Sequence, residues 1–162
     1  AAPARLSDAE RGEWLRALEA AGHGAPRRLS TAPPAAKADR VLALAAVRLH
    51  GDALQHCSDE LRVDKDVVLE AVRQYGRALR FAAASLQADR DVVLAAIGSS
   101  ALALRYAAEE LRADVEVAAA AVSREGDMLQ HCAEGLREDR SVVLAAVSAD
   151  GRAFEHASGR LR

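Results

Sequence analysis

The sequence predicts an all-α protein: an α-solenoid of five 25-residue helix-pair repeats, preceded by an N-terminal capping helix. Three observations carry that expectation. Hydrophobic residues make up 51% of the 162-residue chain but aromatics only 3%, so the core must come from alanine and small aliphatic side chains on closely packed helices. Aspartate recurs at Asp39, Asp64, Asp89, Asp114 and Asp139, always 25 residues apart. Leucine keeps the same step at Leu61, Leu86, Leu111, Leu136 and Leu161, as does glycine at Gly51, Gly76, Gly126 and Gly151, with Ala101 in the remaining slot.

Residues 1–38 stand outside the period. "SDAE", Ser7 to Glu10, is a capping box that starts a helix running to about Ala21, with Trp14, Leu15 and Leu18 on one side. Gly22 and Gly24 end it, and "APRRLSTAPPAAK" reads as an extended, Pro-containing linker. A solenoid needs its first repeat covered, so this helix is expected to cap the array. Trp14 either packs on the first repeat or anchors a partner.

The array divides into 39–63, 64–88, 89–113, 114–138 and 139–162. In each unit the aspartate precedes an apolar run and can accept the free N–H groups of the first turn. An acid often stands two residues later (Asp66, Asp91, Glu116), suiting the positive end of the helix dipole. In the second unit Val67, Val68, Ala71 and Val72 share one helical face. Gly76 is then expected to end that helix with φ > 0, and Ala78, Leu79, Ala82 and Leu86 to line a second helix. A basic residue after the leucine (Arg62, Arg112, Arg137, Arg162) suits the negative helix end. The alanines at 46, 71, 96, 121 and 146 are expected to let consecutive first helices approach closely. The third unit, "AAIGSSALALRYAAEEL", has Ala101 where a glycine is expected. Its first helix is therefore expected to stop near Ile97, with Gly98 turning the chain and Ser99 or Ser100 capping the next helix.

The text "ADRDVVLAAI…ALALRYAAEELRAD" resembles the repeats of the family known as domain of unknown function 4116, with its D-R-E-V-V-L-A-A-V, G-x-A-L-x-Y-A-S and L-R blocks. The resemblance runs from Asp39 to Arg162. It implies a tandem helical array with no assigned catalytic residue. Such repeats occur in algae, other protists and some bacteria. With the Ala-rich start "AAPAR", which leaves presequence removal open, this keeps a plastid or mitochondrial complex in play as the setting.

Composition and motifs narrow the function. A net charge of −2 gives no global basic field, so nucleic acid is not an expected partner. No run approaches about 18 apolar residues, so direct membrane insertion is not expected. No nucleophile motif, phosphate-cradling loop or HExxH occurs, so neither catalysis nor a cofactor is expected. His56-Cys57 and His131-Cys132 have metal-ligand chemistry, but they fill equivalent slots three repeats apart, about 25–30 Å at one packing step per repeat. Phe81-Ala82 and Tyr106-Ala107 fill the same slots, and His156 the ring slot again, so a half-buried ring followed by a small residue is expected there and no metal. The Arg40, Lys65, Arg90 and Arg140 row reads as a solvated charged edge. The residues flanking the glycine vary most between units, placing Tyr75, Arg77 and Leu102 together on the turn edge as the candidate partner surface. The expected function is a non-catalytic interaction scaffold, or accessory subunit, whose partners are other protein subunits. A regulatory, effector-like module that takes a peptide or ligand in a groove is the alternative. The unit-ending Arg162 leaves the last repeat uncovered, so further chain or a partner is expected to cover it.

Overall fold

The computed structural model describes residues 5–159, which form helices joined by short turns, with no strand among them. The expectations for "AAPAR" before Arg5 and for Leu161 and Arg162 lie outside the described residues. The α-helices are α1 (Asp8–Ala21), α2 (Ala25–Ser30), α3 (Pro34–Lys37), α4 (Arg40–Leu49), α5 (Asp59–Arg62), α6 (Lys65–Gln74), α7 (Ala84–Gln87), α8 (Arg90–Ser99), α9 (Glu109–Arg112), α10 (Val115–Val122) and α11 (Arg140–Ala149). Between them lie 3-10 helices: η1 (Gly22–Gly24), η2 (Gly51–His56), η3 (Gly76–Phe81), η4 (Ala101–Tyr106), η5 (Gly126–His131), η6 (Glu134–Arg137) and η7 (Gly151–His156).

Every repeat therefore opens with an Asp-capped helix. Asp39, Asp64, Asp89, Asp114 and Asp139 each accept from the backbone N–H groups two and three residues on. Consecutive first helices pack, α4 on α6, α6 on α8, α8 on α10 and α10 on α11. The alanine row faces this contact, and Ala46, Ala71, Ala96, Ala121 and Ala146 are all fully buried.

The second half of each repeat is not one α-helix. In the second unit it is the six-residue η3, an extended pair at Ala82 and Ala83, then the four-residue α7. The reason is in the spacing. Gly76, Leu79 and Ala82 are buried at steps of three, which three residues per turn stacks on one face. The helix-pair repeat is therefore a three-piece repeat. A side chain from the next piece closes the 3-10 helix: Arg62 donates to the carbonyls of Gln55 (2.9 Å) and Cys57 (3.2 Å), and Gln87 to those of Leu79 and Ala82 (both 3.1 Å).

The glycines do not take positive φ either; among the described residues Gly22 alone does. Their reason is contact with the next unit. A Cβ at Gly51, Gly76 or Gly126 would lie 2.4, 2.3 or 2.5 Å from the carbonyl oxygen of Ala71, Ala96 or Ala146. Only a hydrogen fits there, and a Cα–H can contact that oxygen favourably.

The expected early stop in the third unit does not occur. α8 runs its full ten residues to Ser99, passing through Gly98, and no non-glycine residue among those described takes positive φ. Ser99 caps nothing; its Oγ accepts from Gly76 N–H of the preceding unit at 3.1 Å. The departure falls one unit later. Ala101, 1% exposed, brings a methyl to the slot that faces the next first helix, and α10 has eight residues where the other first helices have ten. Its end tightens, with Arg124 and Glu125 N–H both donating to the Ala121 carbonyl.

The "linker" is helical, as α2 and α3, and residues 8–37, the N-terminal unit, keep part of the 25-residue period. Leu29, Ala32 and Ala36 stand 25 residues before Leu54, Cys57 and Leu61 and are buried like them. A backbone bond fixes the register. Ser58, Ala83, Ala108, Ala133 and Ser158 N–H donate to the carbonyls of Lys37, Arg62, Gln87, Arg112 and Arg137 at 2.9–3.0 Å, so Lys37 does what the later units' equivalents do. α1 packs on α2 and α4.

Two glycines with opposite roles give a paired prediction. Gly76→Ala is expected to cost about 1–3 kcal/mol by overpacking against Ala96. Gly98→Ala, with open space around the new methyl, is expected to add about 0.5–1 kcal/mol by relieving a helix-interior glycine. Urea unfolding of both variants checks the signs, and equal shifts would remove the contact explanation.

Candidate interaction surface

Three edges of the array carry chemistry-bearing side chains. The first is the N-cap edge, where the cation row is not merely solvated. Arg40 donates to Asp64 and Asp66 of the next unit (both 2.7 Å), and Lys65 to Asp89 (2.7 Å) and Asp91 (3.1 Å). Arg90 pairs with Asp114 (3.7 Å) and, more closely, with Glu116. Arg11 of the N-terminal unit does the same for Asp39 at 2.8 Å. Asp64 is held below its ordinary range first by the Arg40 hydrogen bond, then by the Val67 N–H, and Asp89 likewise by Lys65 and Val92. Val115 interrupts the row, and Asp139 takes the Ser141 hydroxyl at 2.5 Å instead. The edge is thus spent on joining units.

The second is the ring row. His56, Phe81, Tyr106, His131 and His156 are half-buried, and each is followed by a buried Cys or Ala. The Cys57 and Cys132 thiols donate to the Ala53 and Met128 carbonyls (3.6 Å each), and burial pushes them up to about 12 and about 11. A thiol held protonated is neither a nucleophile nor a ready ligand. η3 and η4 lie between the two His-Cys pairs, and no three His, Cys, Asp or Glu converge among the described residues. Burial first, then Lys37 and Arg62, lowers the His56 pKa; burial, then Arg105, lowers that of His131.

The third is the turn edge. Tyr75 closes α6 with φ −149°, and its ring meets that of His50 at 5.9 Å and 44°. Arg77 and Leu102 sit on η3 and η4, which pack directly on each other. Leu102 is half-buried against the core. Tyr106, then Tyr75, holds the Arg77 guanidinium above its ordinary range, with Asp52 adding to it. Tyr75, Arg77 and Leu102 are therefore brought together. Trp14 is not with them; it lies in the N-terminal unit beneath the Arg28 guanidinium, 5.1 Å from the ring centroid.

Sequence reasoning missed four members of this surface. The Arg80 guanidinium lies 4.4 Å over Phe81, and the Arg105 guanidinium 5.3 Å over Tyr106. The signal was the pair Arg80-Phe81 and Arg105-Tyr106, 25 residues apart, where the neighbouring units have Gln55-His56 and Gln130-His131. Among the described residues, Arg77, Arg80 and Arg105 pair with no carboxylate, although most cations of the N-cap edge do. The flanking units turn acidic at the same slots, with Asp52 on one side and Glu125 and Asp127 on the other. The result is a cationic, aromatic surface two units wide. No helix of the described residues is long and apolar enough to cross a membrane.

A family model described as "Domain of unknown function (DUF4116)" matches residues 39–87, 75–112, 89–134 and 114–162. Searches of the curated proteins and of the solved structures return no match.

The first two edges can be tested by their ionisation. Asp64→Asn keeps a capping acceptor but removes the charge. Because the folded pKa of Asp64 is lowered, its ionic contribution is complete above the unfolded value of about 3.9 and is lost as pH falls through the folded value. Wild type and variant are therefore expected to differ in urea midpoint at neutral pH and to converge in acid, as pH falls through the folded value; an undiminished gap in acid would exclude the charge as its cause. Separately, both cysteines are expected to resist an aromatic disulfide reagent in the native protein at about pH 8 and to react at once in denaturant.

Proposed function

The chain belongs to the DUF4116 family, and we propose that it is a non-catalytic protein-interaction scaffold or accessory subunit. In this reading five three-piece repeats stack as an α-solenoid, with residues 8–37 as a degenerate unit closing the N-terminal end. The partner is another protein subunit, docked on the turn edge of the second and third repeats through Tyr75, Arg77, Arg80, Phe81, Leu102, Arg105 and Tyr106. One observation carries the reading. Three arginines stand beside half-buried rings with no carboxylate ion pair among the described residues, whereas Arg11, Arg40, Lys65 and Arg90 pair with carboxylates across the unit junctions.

The chemistry of that surface selects its partner. Guanidinium groups on aromatic faces suit carboxylates set among apolar side chains, with the rings excluding water and the arginines binding in a fork. Nucleic acid is the poorer match, because a phosphate track needs a long cationic run and the acidic flanks confine this one to two units. The frame has no role in chemistry in this reading; it sets the spacing of the surface.

The test is charge reversal. Arg80→Glu with Arg105→Glu is expected to leave the melting temperature within a few degrees, since both side chains are exposed. The same substitutions are expected to weaken stoichiometric co-purification with the partner from native extract at least tenfold. Undiminished capture of the same partner by the double variant would remove this surface from consideration, and salt-dependent binding of single-stranded RNA by the wild type alone would transfer it to nucleic acid.

A further inference from the structure

The second repeat, 64–88, holds charge that the frame does not use. Its acids are all engaged by the repeat before it: Asp64 and Asp66 by Arg40 (both 2.7 Å) and Glu70 by Arg48 (3.3 Å). Of its cations, Lys65 is engaged by Asp89 and Asp91 of the repeat after it. Arg73, Arg77 and Arg80 make no carboxylate ion pair among the described residues. These three follow one another around the unit, with Arg73 near the end of α6, Arg77 at the start of η3 and Arg80 near its end. Arg105 continues the line on η4. At the Arg73 end the line opens into a groove of about 320 Å³ between α4 and α6. Leu44 and Leu69, half-buried against the core, lie in it, and Arg48, Glu70 and Arg73 border it. No later first helix repeats these walls. The arginine slot becomes Gly98, Ser123 and Ser148, and the glutamate slot Ala95, Ala120 and Ala145.

We propose, on the reading that the η3–η4 surface docks the partner, that the docked part is an extended segment of acidic and apolar residues. It wraps the second repeat from the α4–α6 groove, across Tyr75, to Arg80 and Arg105. Charge complementarity specifies the occupant. The groove's own acids are already neutralised by Arg40 and Arg48, so the charge left along the line is positive. Carboxylates meet the arginines, which bind them in a fork. Apolar side chains between them meet Leu44 and Leu69 at one end and Phe81, Leu102 and Tyr106 at the other. A phosphate chain is the poorer occupant, because Glu70 borders the groove and two leucines line it. The course of the chain specifies the conformation. Arg73 and Arg80 stand on either side of the turn at Tyr75 and Gly76, where the backbone leaves α6 for η3. A rigid helix would meet one side of that turn; a segment with no structure of its own follows it round. η3 is about 12 Å long at about 2 Å per residue, and η4 lies one packing step of about 8–10 Å beyond. About ten extended residues, spanning about 33 Å, cover this path with the groove included.

A labelled peptide of about ten residues, built from glutamate, leucine and glycine so that it stays unfolded, probes the path. It is expected to bind the full chain, and its lysine-for-glutamate counterpart is not. Arg73→Glu, at the groove, and Arg80→Glu with Arg105→Glu, at the other end, are each expected to weaken binding about tenfold. All three side chains are exposed, so melting temperatures are expected to stay within a few degrees. Arg124→Glu, equally exposed but in the fourth repeat, is expected to leave binding unchanged. Loss of binding on the η3–η4 side alone would overturn the wrap and leave the partner surface standing. No binding of the peptide, or binding indifferent to Arg73, would also overturn the wrap, with the η3–η4 surface still judged by its own charge reversal. Tighter binding of a single-stranded oligonucleotide of the same length would overturn the acidic segment in favour of a phosphate chain.

Discussion

A β-carbon cannot be placed between consecutive units at the point where glycine meets the next alanine carbonyl. That contact sets the spacing of everything else. At Gly76 a methyl would sit 2.3 Å from the Ala96 oxygen and also press on Ser100. Closing the units to this distance is what allows alanine and valine, which have little reach, to fill the space between first helices. A core with no buried polar or charged residue among the described residues is then the natural product of a sequence poor in large side chains. Larger residues in the alanine row would push the helices apart and open voids elsewhere, since interiors at native density do not absorb added volume locally.

Close approach creates the conditions for the other two stitches. The backbone bond from residues such as Ala83 to the Arg62 carbonyl needs the short helices in step, and the ion pairs need each N-cap aspartate beside the previous unit's cation. Each aspartate so placed has two functions. It satisfies the first N–H groups of its own helix and ties that helix to its predecessor, as Asp64 does with Val67 and Arg40. The pairs are half-exposed and individually weak by the usual standard of surface ion pairs. Their value lies in register, because an array of near-identical units could otherwise slide by a turn.

The parts legible in the sequence were those that depend on local chemistry. The caps, the buried valine and alanine face and the half-buried ring slot each arise from a few neighbouring residues and a period. The parts that were not legible depend on contact across units. Gly76 carries the same letter whether it turns a helix or admits a carbonyl, and nothing within its own unit decides between them. The 3-10 segments were hidden because Gly76, Leu79 and Ala82 fit a helical face under either pitch until Ala83 fixes the break. The N-terminal unit was hidden because it lacks the aspartate and glycine that announce the others, keeping only Leu29, Ala32 and Ala36. At the interaction surface, Tyr75, Arg77 and Leu102 were found from variability, but Arg80 and Arg105 were not, since a lone exposed arginine beside a packing ring carries no signal of being unpaired.

The unit from 114 to 138 gathers the departures from this scheme. It receives Ala101 in place of a glycine from the unit before, and its first helix is two residues short. Val115 gives no cation to Asp139 of the unit after, so the ionic stitch is missing on that side. Its short helix is 3-10 where the three preceding repeats have an α turn. Two of the three stitches are thus altered at this unit, while the backbone bonds from Ala133 to Arg112 and from Ser158 to Arg137 remain. Stability in a linear array is a sum of unit and neighbour terms, so the deficit stays local and is not shared with the whole. The two losses fall on opposite sides of the unit: the junction adjoining η4 lacks the glycine contact but keeps the Arg90 pairs, and the junction toward α11 lacks the ion pair but keeps the Gly126 contact with the Ala146 carbonyl. No junction therefore loses more than one of its ties, and the departures are spread so that each neighbour of this unit stays held by the other two.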